Sequence, residues 1–86
     1  MNIDENRIYS CSTVENNELR KRIAGNIRAA RAFKNITQQD LAVMSKIHKE
    51  TIRAIENGES NMNIGTLESI CIALDINIAE AFKERE

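Results

Sequence analysis

The stretch TQQDLAVMSKIHKETIRAIENG, residues 37–58, constrains the fold more than any other part of the chain. Its apolar residues recur at helical spacing in two short runs. The first run predicts a helix over about residues 38–45, which the hydroxyl of Thr37 can cap. The second predicts a helix over about residues 48–57, followed by Gly58, where a left-handed residue ends a helix at little cost. The stretch is therefore predicted to form two short helices joined by a tight turn.

The second of these helices is predicted to be amphipathic. Ile52 and Ile55 lie three residues apart and form one apolar face. Lys49, Glu50 and Arg53 fall on the other faces. Two short helices that cross steeply, the second with a polar outer face, form the layout of a DNA-reading helix-turn-helix.

The same stretch resembles the Cro/phage-repressor helix-turn-helix family, also called XRE-type. The residues that carry the resemblance are Thr37, Gln38, Leu41, Ala42, Ile47, Thr51, Ile52, Ile55, Glu56, Asn57 and Gly58. Upstream and downstream positions extend it to about residues 19–82, through Ile27, Arg28, Arg31, Leu67, Ile70, Ala73 and Leu74. It implies an all-α fold, a compact five-helix bundle of the lambda-repressor-like type, that binds double-stranded DNA and regulates transcription, for example as a repressor.

The loop after the second helix resembles a narrower group. Asn61-Met62-Asn63-Ile64 followed by Leu67-Glu68 is similar to the short controller proteins of restriction–modification systems. Short phage repressors and some antitoxins share the scaffold, so these subtypes stay open alternatives.

Contacts to base edges are expected from the amino end of the second helix, which a major groove can admit. The residues there are Lys49, Glu50, Thr51 and Arg53. Lysine and arginine can donate to guanine O6 and N7, and glutamate can accept from cytosine N4.

Phosphate contacts are expected on both sides of this helix. Thr37 and Gln38 begin a helix whose free amides point at an anion, and Lys46 adds charge in the turn. His48 stands at a cap position that histidine fills poorly, and it either contacts phosphate or is a tolerated surface residue. In relatives, the following loop also grips the DNA backbone, which here implies Ser60, Asn61 and Asn63.

The family further implies an ion pair between Arg31 and Glu56. An arginine fork can hold a carboxylate with two parallel hydrogen bonds, which would lock an earlier helix to the end of the reading helix. The role of this pair is structural.

The rest of the chain divides into two parts. Residues 1–17 are predicted to be a flexible N-terminal arm and residues 18–86 the DNA-binding domain. The helical pattern predicts a long first helix from Asn16 or Asn17 to about Lys34, and a helix after the motif from Ile64 to Leu74 with Asn63 as its cap.

Charge is distributed unevenly along the chain. The net charge is −1, but residues 1–18 carry −3, residues 19–56 carry +6 and residues 57–86 carry −4. A basic middle between acidic ends indicates a positive face on a balanced protein.

Composition argues against several other classes of protein. Two cysteines sixty residues apart and a single histidine cannot supply a zinc site, and a Cys11–Cys71 disulfide is disfavoured in the cytoplasm, where we expect the protein. No apolar run could span a membrane. The chain shows no nucleophile–base pair and no glycine-rich phosphate loop, so we expect neither enzyme activity nor a cofactor, a metal or a small-molecule ligand. A protein-interaction module such as an antitoxin or adaptor is the alternative function.

A symmetric homodimer is predicted through the carboxy-terminal third. The candidate interface residues are Ile72, Ile76, Ile78 and Phe82. Pairing would place two reading helices one DNA turn apart, roughly 34 Å, on a pseudo-palindrome. The alternative for Ile76 and Phe82 is that they only close the core of the monomer.

Overall fold

The computed structural model describes residues 13–14, 16–59 and 62–84. Within these ranges the helices are α1 (Asn17–Lys34), α2 (Gln38–Ser45), α3 (Lys49–Glu56), α4 (Ile64–Leu74) and α5 (Ile78–Ala81). Two short strands, β1 (Thr13–Val14) and β2 (Met62–Asn63), pair with each other. The predicted five-helix fold is confirmed, and the structure adds the strand pair to it. No helix in the described ranges is long and apolar enough to cross a membrane.

Side-chain caps are present at the starts of α1, α2 and α4. Asn16 accepts a hydrogen bond from a first-turn amide of α1 at 2.9 Å. Thr37 and Asp40 each accept from the other's backbone amide at 3.0 Å, which makes a complete capping box at α2. Asn63 caps α4 by accepting from the amide of Thr66 at 2.8 Å. These caps lie where local sequence patterns predict helix starts.

Residues in the left-handed region end three of the helices. Asn35, Lys46 and Asp75 have φ angles of 60°, 61° and 58°. A non-glycine residue in this region costs about 1 kcal/mol. Lys46 is the first residue of the turn between α2 and α3. The turn therefore keeps the geometry of the motif while placing a lysine at the surface.

The core is aliphatic and lies where the first four helices meet. Its fully buried side chains include Ile23, Ile27, Leu41, Ile52, Ile55, Leu67, Ile70 and Leu74. Cys71 is buried among them as a free thiol. Burial raises the pKa of that thiol, and Glu68 and Glu80 raise it further. Cys71 is therefore an apolar core residue. Cys11 lies outside the described residues.

The strand pair corrects the predicted boundary of the N-terminal arm. Val14 is buried at 6 % exposure and lies opposite Met62, with Thr13 opposite Asn63 in antiparallel register. Residues 1–17 are the predicted arm, and two residues near its end, Thr13 and Val14, thus pair with β2. The pairing joins segments that are distant in sequence, and a lone valine gives no local pattern that would predict it. Residues 1–12 and 15 of the arm lie outside the described residues.

Replacement of Val14 by alanine tests this anchor. We expect Val14→Ala to lower the free energy of unfolding by about 1–2 kcal/mol, because it removes two buried methyl groups. The matched control is Val43→Ala on α2, where the valine is 66 % exposed and the same change should have little effect. Urea denaturation of both variants measures the difference. Equal stability of the two variants would restore the flexible-arm prediction for Val14.

Candidate nucleic-acid interface

Helix α3 presents a polar face to solvent and an apolar face to the core. Ile52 and Ile55 are each 1 % exposed. Lys49, Glu50 and Arg53 are exposed on the outer side. Thr51, the fourth residue predicted to read bases, is half-buried at the edge of this face. The structure therefore brings three of the four candidates onto one open helical surface, which we call the α3 outer face.

Two residues of the α3 outer face are bonded to each other. Oε1 of Glu50 accepts from Nε of Arg53 at 3.2 Å and from Nη2 of the same side chain at 3.1 Å. Both side chains remain open to solvent, at 81 % and 52 % exposure. From the sequence, the two residues are predicted to read bases independently. Their i, i+3 spacing could have indicated the pair, because side chains three residues apart are neighbours on a helix.

The inner end of α3 is held by a buried carboxylate. Glu56 is 1 % exposed, and Arg31 donates to it from Nε to Oε2 at 2.8 Å and from Nη2 to Oε1 at 3.0 Å. Nε2 of Gln38 donates to the same Oε1 at 3.0 Å. The side chains that the resemblance pairs, Arg31 and Glu56, are in contact, and the structure adds Gln38 to them.

Two further hydrogen bonds extend this cluster. Arg28 donates from Nη1 to the backbone carbonyl of Glu56. Arg31 donates from Nη1 to the carbonyl of Ile36 at 3.0 Å. The sequence carries Arg28 as part of the family pattern but assigns it no contact. The cluster of Arg28, Arg31, Gln38 and Glu56 joins α1, the start of α2 and the end of α3, and we call it the Glu56 cluster.

Three of the predicted phosphate-contacting residues, Thr37, Gln38 and Asn63, are also caps or members of the Glu56 cluster. The oxygen of Thr37 accepts from Asp40, and Oδ1 of Asn63 accepts from Thr66, so the Thr37 hydroxyl proton and the Asn63 amide N–H groups remain as donors. Gln38 uses one N–H on Glu56 and keeps a second. Each of these three side chains therefore keeps a donor for an anion that no hydrogen bond among the described residues uses.

The remaining phosphate candidates lie on the surface or outside the described residues. Lys46 and His48 are exposed in the turn between α2 and α3. The side chain of His48 makes no hydrogen bond that caps α3. Ser60 and Asn61 fall outside the described residues.

The carboxy-terminal third exposes an apolar surface. Ile72 is 72 % exposed on α4, and Ile76, Ile78 and Phe82 are half-buried against the core. Phe33, near the end of α1, is 89 % exposed and lines an open groove of about 620 Å³ together with Ile76. The sequence does not indicate that Phe33 belongs to this surface, because Phe33 lies off the apolar stripe of α1 and is not part of any other apolar repeat.

Asn26 fixes the position of the last helix. It is buried on α1, and its Nδ2 donates to the backbone carbonyls of Ala81 and Lys83, both at 2.8 Å. The carbonyl of Ala81 is at the carboxy-terminal end of α5 and that of Lys83 is just beyond it, where carbonyls lack a partner within the helix. One asparagine therefore ties the carboxy-terminal third to α1, and no local sequence signal indicates it. Within the described ranges, no three side chains of the metal-ligating types come together.

The sequence matches known regulators over most of its length. Residues 27–80 match the model of a family described as helix-turn-helix. The chain is 30 % identical over 61 residues to Control protein C.SmaI of Serratia marcescens, a match that spans 71 % of this chain and 73 % of that protein.

Solved structures share the fold. The restriction-modification controller protein C.AhdI from Aeromonas hydrophila superposes with a TM-score of 0.71 and 25 % identity, over 73 % of this chain and 96 % of that one. The wild-type restriction-modification controller protein C.Esp1396I superposes with a TM-score of 0.69 and 31 % identity, over 74 % of this chain and 83 % of that one.

Removal of the Glu56 carboxylate tests its contribution to stability. We expect Glu56→Ala to lower the free energy of unfolding by about 2–3 kcal/mol, because Arg31 and Gln38 lose their acceptor. This is less than for a fully buried pair, since the Arg31 side chain is 22 % exposed. Thermal unfolding measures the change, and Glu50→Ala on the same helix is the control, with an expected effect below about 0.5 kcal/mol. A Glu56→Ala variant as stable as its parent would show that the cluster does not hold the fold.

Proposed function

Because the chain belongs to the helix-turn-helix family, we propose that it acts as a symmetric dimer on a pseudo-palindromic operator. The protein is a DNA-binding transcriptional regulator and not an enzyme.

The observation that carries the proposal is the α3 outer face. Lys49, Glu50 and Arg53 are exposed to solvent, while Ile52 and Ile55 pack the opposite side of the same helix into the core and the Glu56 cluster holds its carboxy-terminal end. A rigid helix with long polar side chains on its open side fits the major groove. We assign the contacts with base edges to this face, with Thr51 at its margin.

Phosphate contacts would set the height and angle of α3 in the groove. Thr37 and Gln38 begin α2, where free amides and the helix dipole favour an anion. Asn63 begins α4 in the same way, and Lys46 and His48 add donors in the turn. We assign the contacts with the DNA backbone to these residues, together with Ser60 and Asn61, which precede β2 in the sequence.

A dimer is supported by the exposed apolar surface of the carboxy-terminal third. A single module covers one half-site and gives limited affinity. Ile72 is exposed on α4, and the half-buried Ile76 lines a groove with the exposed Phe33 of α1. A small monomer has little reason to leave such side chains exposed together. We propose that a second copy of the chain covers this surface, including Ile78 and Phe82.

The relatives suggest a narrower role. C.SmaI is named a control protein, and C.AhdI and C.Esp1396I are restriction-modification controller proteins. We propose that this chain is a controller of the same kind, which acts in the cytoplasm on promoters of restriction–modification genes. Selection of bound sites from random duplex DNA would test this, because it yields the half-site sequence and spacing that can be sought upstream of such genes. Selected sites with a single unpaired half-site would contradict the dimeric mode of binding.

Alanine substitutions on α3 test the base-reading assignment. We expect Arg53→Ala and Lys49→Ala each to weaken specific binding by about 1–3 kcal/mol if they contact bases in two places. The control is Lys46→Ala, which should weaken binding to all sequences alike and reduce its dependence on salt. Titration of the selected operator and of an unrelated duplex at one salt concentration measures both effects. Unchanged discrimination in both α3 variants would refute the assignment.

An acidic substitution at Ile72 tests the dimer surface. We expect Ile72→Glu to shift the protein to a monomer, because a carboxylate would be buried unpaired at the interface. Val43→Glu is the matched control, since Val43 is also exposed but lies on α2, and it should leave the dimer intact. Sedimentation equilibrium measures the mass of the parent and both variants. A parent that stays monomeric at tens of micromolar would rule out the dimer.

A further inference from the structure

We propose that Glu50 is a positioning residue, which holds the guanidinium of Arg53 for a guanine, and not a base-reading residue in its own right. The inference rests on the proposed function of the α3 outer face and revises the role that the sequence assigns to one of its members. The hydrogen bonds between Glu50 and Arg53 occupy one edge of the Arg53 guanidinium and leave another edge open.

The geometry leaves one edge of the arginine free. A guanidinium has five N–H donors, of which one is on Nε and two are on each Nη. Oε1 of Glu50 takes one donor from Nε and one from Nη2, which is the side edge of the fork. Within the described part of the chain, no hydrogen bond uses Nη1 of Arg53. The end edge, formed by Nη1 and Nη2, therefore keeps a pair of parallel donors.

That free edge matches guanine. Guanine presents O6 and N7 side by side in the major groove, and an arginine contacts both with two N–H groups. An arginine that is already held by its side edge loses less conformational freedom when it makes this contact. Glu50 thereby contributes to recognition through Arg53.

The pair also keeps the arginine away from phosphates. A free arginine beside DNA is attracted to the nearest phosphate, and such a contact carries no sequence information. Lys49, which neighbours Glu50, has no such acidic partner within the described residues. Glu50 is itself repelled by phosphate, so its removal should increase affinity for DNA in general while it lowers the discrimination between sequences. If Glu50 merely lay in solvent without holding Arg53, its removal would not lower the discrimination between sequences.

Double substitution separates a positioning role from direct reading. The proteins are the full chain, Glu50→Ala, Arg53→Ala, the double variant and Glu50→Gln, which keeps a side-chain oxygen as an acceptor. Each is titrated with the selected operator and with every single-base-pair variant of one half-site, at one salt concentration. Thermal unfolding checks that the variants are folded. We expect them to fold, because the side chain of Glu50 is exposed and packs little against the core.

We expect Glu50→Ala to relax the preference at the same base pair as Arg53→Ala, by about 2- to 5-fold, the range for an exposed ion pair. Arg53→Ala should relax it by about 10-fold or more. Adding Glu50→Ala to Arg53→Ala should relax it no further, and Glu50→Gln should retain part of the preference. Unrelated duplex DNA should bind Glu50→Ala more tightly than it binds the parent.

Other outcomes overturn the proposal. Relaxation by Glu50→Ala at a different base pair would show that Glu50 reads that base directly. Additive effects in the double variant, or an unchanged preference in Glu50→Ala, would show that Arg53 needs no support. In both cases a loss in Arg53→Ala would leave the proposed groove contact standing. If Arg53→Ala also left every preference unchanged, the groove assignment would fail together with the positioning role.

Discussion

The carboxylate of Glu56 is buried at the end of the helix that faces DNA, and the relative placement of the first three helices depends on the groups that bond to it. A buried carboxylate without partners is very costly. Here Arg31 supplies two charged hydrogen bonds and Gln38 a third. Arg28 holds the backbone at the same residue. Because the donors come from α1 and from the start of α2, the orientation of α3 is determined by chemistry at one point and not by apolar packing alone.

Much of this fold can be predicted from the sequence because its signals are local. The caps at Thr37 and Asn63 accept from amides three residues ahead, so the residue type and its spacing are sufficient to predict them. The left-handed helix end at Asn35 and the apolar spacing of Ile52 and Ile55 are equally local. In a short domain made mainly of helices, most of the residue patterns that determine the structure span only one or two helical turns.

The features that the sequence does not predict are contacts between distant segments. Val14 is buried against Met62, and Asn26 bonds to carbonyls beyond the last helix. Gln38 has the right position for a phosphate, but its bond to Glu56 depends on how α2 and α3 cross. Phe33 is exposed although its residue type favours burial. In each case only tertiary placement decides the environment of the side chain, and no periodicity records it.

The arrangement of acidic residues shows how a chain with a net charge of −1 can present a positive face. The basic stretch over residues 19–56 contains three acids. Asp40 is bonded to the backbone at the start of α2, and Glu56 is buried with Arg31. Glu50 is therefore the one acid of this stretch with an exposed position on the α3 outer face, and it is bonded to Arg53. Within residues 19–56, negative charge is thus confined to sites where it holds structure or an arginine, while Lys46 and Lys49 remain exposed. Since attraction to phosphate falls off within about 10 Å in salt solution, charges on and beside α3 act on bound DNA more strongly than charges farther from that helix.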